Sequence, residues 1–357
     1  MKSLMEYKGL LALGILILIH LVSAWGLAHW VYQIYGTYIF PLIRTIYDYT
    51  LGMIPFASIY ILIVVLLLLF FFRKYKKAGS KSKTWVYHIL STFNFLGWVI
   101  FLFYFLWGFN YYRPSWIEKH GHTAVNPDSA IIIQEIQTVS ARVNELRIKI
   151  SEDTSALSYH PDWTIMENDI RIEQKRFLTF YGDKAIGRVR IRQLYPKGVL
   201  LSLSTAGIYI PLVCEGHIDP GLNPIQWPFT LAHEMAHGYG YTDEGECNFI
   251  GFVTCIQSED PHIQYSGWLG YWRYLYREVD HLSEEKADRV YASMSPGVKA
   301  DIKAIRKDIN RYPDILPWFR DVIYDFYLKS HGMSDGLASY DGIISLVLTW
   351  KKETKKD

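Results

Sequence analysis

The sequence predicts an α+β domain, helix-predominant with a small sheet, preceded by three transmembrane helices. Three observations carry this expectation. Half of the 357 residues are hydrophobic and 20% are charged; a mean hydropathy of +0.05 lies between that of a soluble protein and that of a bundle of spanning helices. The long apolar stretches are confined to the first third of the chain, and the remainder alternates polar and apolar residues mostly at helical spacing. Lys+Arg 37 against Asp+Glu 35 leaves a net charge of +2, which excludes the footprint of a nucleic-acid binder. Cys214, Cys247 and Cys255 are too few and too irregularly spaced for a disulfide framework.

The expected membrane anchor is 1–109, with spans at about 9–28, 51–72 and 85–109, each long enough to cross a bilayer. The tyrosine-rich segment 29–50 between the first two suits the headgroup region. Arg73, Lys74, Lys76, Lys77, Lys81 and Lys83 fall in one short loop without an acid, which the positive-inside rule places in the cytoplasm. Three crossings then put 110–357 outside the cytoplasm, on a bacterial inner membrane. A cleaved signal peptide ending near Val22-Ser23-Ala24 would leave that side unchanged. His20, His88 and Asn94 fall within the expected spans, where hydrogen bonding between helices suits a three-helix anchor better than an ion path does.

Beyond residue 110, Asn126-Pro127-Asp128 carries helix-start signals, with Asn126 expected as the cap. Pro161-Asp162 opens a second helix. Strands are expected at 188–193, 199–204 and around 207–213, and helices from Pro228 almost to the end. The polar residues Glu215, His217 and Asp219 suit a network that fixes a loop.

The segment Thr230-Leu231-Ala232-His233-Glu234-Met235-Ala236-His237 holds the chemistry. Two histidines four apart share a helix face and can grip one Zn²⁺, and Glu234 between them can take a proton from a water there. The rest of the segment is apolar, so a buried His-Glu-His face needs a cation to satisfy it. Four acids compete for the third ligand position. Glu244 shares a face with Asn248, which would hydrogen-bond a ligand histidine. Glu246 points away from Glu244. Glu284 belongs to an ExxAD run, and Asp243 follows a glycine turn. Tyr340 is a candidate donor to the oxyanion of a cleaved carbonyl, with Tyr239 and Tyr241 as rivals. The stretch 202–210 could offer a peptide substrate a strand edge.

WGFNYYRP, PFTLAHEMAHGYGYTDEGECNFIGF, YSGWL and YDFYLKSHG together resemble an uncharacterised family of bacterial membrane proteins with an HExxH extracytoplasmic domain. The resemblance covers nearly the whole chain and implies His233, Glu234 and His237 as site residues. HExxH with a following ExxxN is distantly similar to the gluzincin metallopeptidases, which have Asp where this chain has Asn248, and so implies a zincin-like domain. The expected function is a membrane-anchored zinc metallopeptidase that cleaves a peptide or protein substrate, with Glu234 and Tyr340 catalytic and His233, His237 and Glu244 on the metal. The rival from another class is a non-catalytic zinc-containing membrane sensor or envelope assembly factor. An intramembrane protease would bury HExxH in a span, which Asn223-Pro224, Pro228 and DEGE oppose.

Overall fold

The computed structural model describes residues 8–77, 85–315 and 342–354. Residues 78–84, which hold Lys81 and Lys83 of the expected basic loop, and the segment 316–341, which includes Tyr340, lie outside the described residues. Arg73, Lys74, Lys76 and Lys77 are helical rather than in a loop. The chain divides into two compact units. One comprises residues up to Arg113 with Ile186–Arg188 and Ile210–Glu215; the other comprises Pro114–Ala185, Val189–Tyr209 and the chain from Gly216 onward.

The first unit contains α1 (Lys8–Val22), α2 (Ala28–Ile34), α3 (Phe40–Asp48), α4 (Ile59–Lys77) and α5 (Trp85–Leu106). Within α5, His88–Leu106 is long and apolar enough to cross a membrane, and only 6% of that window is buried, so it is not the core helix of a soluble domain. The expected span 9–28 stops early, at Val22, because π-helical turns and Gly26 at φ +88° interrupt it. The expected span 51–72 starts late, at Ile59, because a 3-10 turn at Leu51–Met53 precedes it. Their apolar parts, Lys8–Leu21 and Ile59–Phe72, are shorter helices, so one helix among the described residues spans by length where three were expected.

Helices α1 and α5 touch backbone to backbone. Gly9 N donates to Asn94 Oδ1 at 2.7 Å, and a methyl group on Gly97 would lie 2.3 Å from the Gly9 carbonyl oxygen; small residues permit such crossings. Asn94 is therefore hydrogen-bonded between helices, and His20 Nδ1 pairs with the Tyr112 hydroxyl. The late segments of this unit are fastened by buried polar contacts. Arg44 donates to the Cys214 carbonyl at 2.6 Å and to Asp48 at 2.8 Å, while Ser58 N donates to Glu215 Oε2 at 2.8 Å.

The remaining elements are α6 (Trp116–Lys119), α7 (Ser129–Ile150), α8 (Trp163–Phe180), β1 (Ile191–Gln193), β2 (Gly207–Ile210), β3 (Glu215–Ile218), α9 (Trp227–Gly238), α10 (Glu244–Gln257), α11 (Pro261–Leu282), α12 (Glu284–Ser293), α13 (Pro296–Ile309) and α14 (Gly342–Thr354). Aspartates start four of these helices: Asp128, Asp162, Asp243 and Asp260 each accept a first-turn N–H. The cap of α7 is thus Asp128, two residues after the expected Asn126. Ile132, Ile136, Val139, Val143 and Leu146 of α7 all enter a core shared with α8 to α11, α13 and α14.

The sheet has the order β1-β3-β2, with β1 and β3 parallel and Ile191 opposite Gly216. The expected strand at 199–204 is instead a loop with a 3-10 turn at Leu201–Leu203. Buried Asp219 explains the difference, since its carboxylate accepts from Gly198 N, Leu200 N and Leu201 N and so takes the donors a strand would use. The third strand is Glu215–Ile218, whose charged and imidazole side chains hid its pairing pattern.

One buried ion pair ties the helical layer to its loops. Arg147 Nε donates to Asp301 Oδ2 at 2.8 Å, and its other nitrogens reach the carbonyls of Ser151, Asp153 and Ser155. Asp301 also accepts from Leu157 N at 2.7 Å and from the Tyr265 hydroxyl at 2.8 Å. The loop between α7 and α8 is held by this cluster. Further along α8, Gln174 Nε2 donates to the Ala232 carbonyl at 2.8 Å, next to the first histidine of α9.

Candidate metal centre

Helix α9 presents His233, Glu234 and His237 toward α10 and the sheet. Gly240, at φ +86°, turns the chain sharply after α9. That turn brings the Tyr241 carbonyl to His237 Nδ1 at 2.9 Å and lets Asp243 cap α10 by accepting from Glu246 N at 2.8 Å. Helix α10 then approaches closely at Gly251, where an added methyl group would lie 3.2 Å from His233 N.

Asn248 Oδ1 lies 2.8 Å from His233 Nδ1. Each Nδ1 thus faces an oxygen acceptor, and a proton on each Nδ1 would satisfy these acceptors and leave both Nε2 atoms free to bind a cation. Those atoms converge on Glu244: Oε2 is 3.2 Å from His233 Nε2 and 3.6 Å from His237 Nε2. The rings lie 4.9 Å apart at 82°. His233, His237 and Glu244 form a group able to hold a metal ion, with one ligand atom from each within 4.8 Å of the others.

The residues fit a zinc-sized cation on two counts. Bonds of about 2.0–2.1 Å in a tetrahedron imply ligand atoms about 3.3 Å apart, close to the two spacings to Glu244. The second count is the polar balance of the cluster, where Glu234 Oε2 is buried without a hydrogen-bond partner among the described residues. An unpartnered carboxylate oxygen in the interior is costly, and a cation with its water would satisfy it. Two nitrogens and one carboxylate oxygen leave a fourth position open, as in catalytic zinc sites.

Electrostatics follow the same logic. Burial pushes the Glu234 carboxyl up to about 7, against the pull of His233 and His237. Burial also opposes ionisation of Glu244, yet the two imidazoles beside it hold its carboxyl far below the usual range. His237 is raised despite burial, by Cys247 and Glu244 alongside it. Burial drives the Cys247 thiol up to about 12, against the pull of His237, whose Nδ1 lies 3.3 Å from its sulfur.

The competing acids separate cleanly. Asp243 is a helix cap, Glu246 Oε1 accepts from Trp116 N, and Glu284 is exposed in the first turn of α12. Tyr241 donates to Asp183 at 2.6 Å. Tyr340 lies outside the described residues. Sequence reasoning missed the floor beneath Glu234. A methyl group on Gly207 of β2 would lie 2.6 Å from Glu234 Oε1 and 2.8 Å from the His217 carbonyl oxygen, and one on Gly216 of β3 would lie 3.0 Å from Glu234 Cβ. Such contacts leave no local signal beyond the glycines themselves.

Asn248 fixes the tautomer and aim of His233. Asn248→Ala should weaken zinc affinity about 10–100-fold, measured by competition with a chromogenic chelator; unchanged affinity would remove Asn248 from the account.

A helix-predominant protein with a largely buried His-His-Glu group able to hold a metal ion is the class that the fold and site define. The chain belongs to the DUF3810 family of proteins of unknown function, whose model matches residues 35–348. Neither a curated protein nor a solved structure matches it.

Proposed function

We propose that the protein is a membrane-anchored zinc-dependent metallopeptidase whose catalytic domain lies outside the cytoplasm. The observation that carries this reading is the convergence of two oriented imidazoles and one carboxylate beside a second, unpartnered carboxylate. His233, His237 and Glu244 would hold the ion, which would supply Lewis acidity to a water and to the peptide carbonyl. Glu234 takes the proton from that water and delivers it to the leaving amine. Gly207 and Gly216 hold Glu234 in place, and Asn248 and the Tyr241 carbonyl keep the imidazoles aimed.

The membrane part of the proposal rests on sequence and exposure. Ile63 to Phe72 of α4 are apolar and largely exposed, as is most of α5, which suits lipid contact for α1, α4 and α5 as a three-helix anchor. The basic residues from Arg73 to Lys83, at the end of α4 and beyond it, then face the cytoplasm.

Full-length protein purified in detergent should contain one zinc per chain by elemental mass spectrometry. A strong chelator should abolish cleavage of a peptide library and lower Tm, since the ion binds only the folded state; added zinc should restore both. Absence of stoichiometric metal sinks the proposal. Stoichiometric metal with no cleavage turns it toward the sensor or assembly-factor reading.

A further inference from the structure

His233 of the metal centre lies on a partly accessible face of α9. Leu231, Ala232, Glu234, Met235 and Ala236 are buried, whereas Phe229, Thr230 and His233 are half-buried, as is Gln226 just before the helix. Positions 226, 229, 230 and 233 recur at helical spacing, so they share one accessible face.

Next to His233 on that face is a pocket of about 290 Å³, counting its open mouth. Gln226, Phe229 and Thr230 form one wall, and Ser266, Gly270 and Arg273 of α11 form the other. Two features look built for the pocket. Ser266 Oγ accepts from Phe229 N at 3.2 Å, pinning the two helices together. Gly270 makes room for the Phe229 ring, which an added methyl group would meet at 2.9 Å.

Arg273 is the charged group of the pocket. It is solvent-accessible, and no carboxylate pairs with it among the described residues. Although the side chain is exposed, the walls around its guanidinium take part of its hydration, and the like charges of Arg277 and Arg306 add to this in lowering its pKa. A structural arginine would have an acid beside it; this one has more cations. Among the described residues the pocket therefore holds no anion, and a guanidinium fork suits a carboxylate.

Distance sets where that anion belongs. At 1.5 Å per residue, the pocket wall from Thr230 to Gln226 lies about 4.5–10.5 Å along the helix axis from His233. An extended peptide covers about 3.3 Å per residue. We infer that this pocket is the subsite that binds a substrate carboxylate one to three residues from the bond cleaved, with Arg273 as the recognising group. The inference rests on the metallopeptidase reading and gives it a substrate class: peptides with a nearby C-terminus or an acidic side chain.

The test uses full-length Glu234→Gln protein in detergent, so that peptides bind uncut, and fluorescence anisotropy of three labelled hexapeptides. One ends in a free carboxylate, one is its neutral C-terminal amide, and one is the amide with a glutamate in the second-last position. A charge-assisted hydrogen bond makes about a 10–100-fold difference, so one or both charged peptides should bind at least about tenfold tighter than the neutral amide. Arg273→Ala should erase that preference, while Arg273→Lys should keep part of it. Preference for the free acid alone identifies a terminal carboxylate, and preference for the glutamate peptide alone identifies an acidic side chain. Equal affinities, a preference that survives Arg273→Ala, or no binding of any peptide overturns the inference. Failure of the metallopeptidase reading is a separate result: no metal, or no cleavage by the wild type, whatever these affinities are.

Discussion

Glu234→Gln should lower kcat/KM for any cleaved peptide by about 10²–10⁴-fold, the usual contribution of a positioned general base, with zinc content unchanged. Glutamine has nearly the same shape as glutamate, so it keeps the contacts with Gly207 and Gly216. What it loses is the ability to accept a proton. Glu234 is only 4% exposed, so solvent cannot readily replace it as the base. Glu234→Asp gives a second reading, because it stays acidic but withdraws the carboxylate by one methylene; it should fall between Gln and wild type. Wild-type turnover in the Gln variant, measured beside unchanged zinc, would falsify the role given to this residue.

Asp301→Ala should cost about 3–5 kcal/mol of stability, because it leaves the Arg147 guanidinium buried without its counter-charge. The same change strips an acceptor from Leu157 N and from the Tyr265 hydroxyl. For a unit of this size the loss corresponds to a fall in Tm of roughly 6–20 °C. Replacing both members, Arg147→Met with Asp301→Leu, should be much less harmful than either single change, since no charge is then stranded. A thermal melt of the full chain decides; equal Tm values for wild type and Asp301→Ala would show that the cluster contributes nothing.

What the sequence revealed was local, and what it hid was not. Two histidines one turn apart, Glu244 and Asn248 on one face of α10, and Asp162 before α8 are all relations within one helix, where spacing determines direction. The floor under Glu234 comes from glycines on two strands, and the pocket of Arg273 comes from three elements distant in sequence. No periodicity reports such meetings. The strands themselves are three or four residues long, too short for alternation to emerge. A run such as VLLSLS reads as a strand until the carboxylate of Asp219 claims its backbone donors. The spans were overestimated for a related reason: hydropathy sees apolar residues but not the interruption of a helix by π-turns and a left-handed glycine.

The two glycines beneath Glu234 also make a forecast about lineage. At both positions even the smallest side chain would push on the carboxylate or on neighbouring backbone and side-chain atoms. Homologous chains that preserve the acid at 234 should therefore preserve glycine at 207 and 216, whereas branches that have abandoned the acid are released from that restriction and should drift there first.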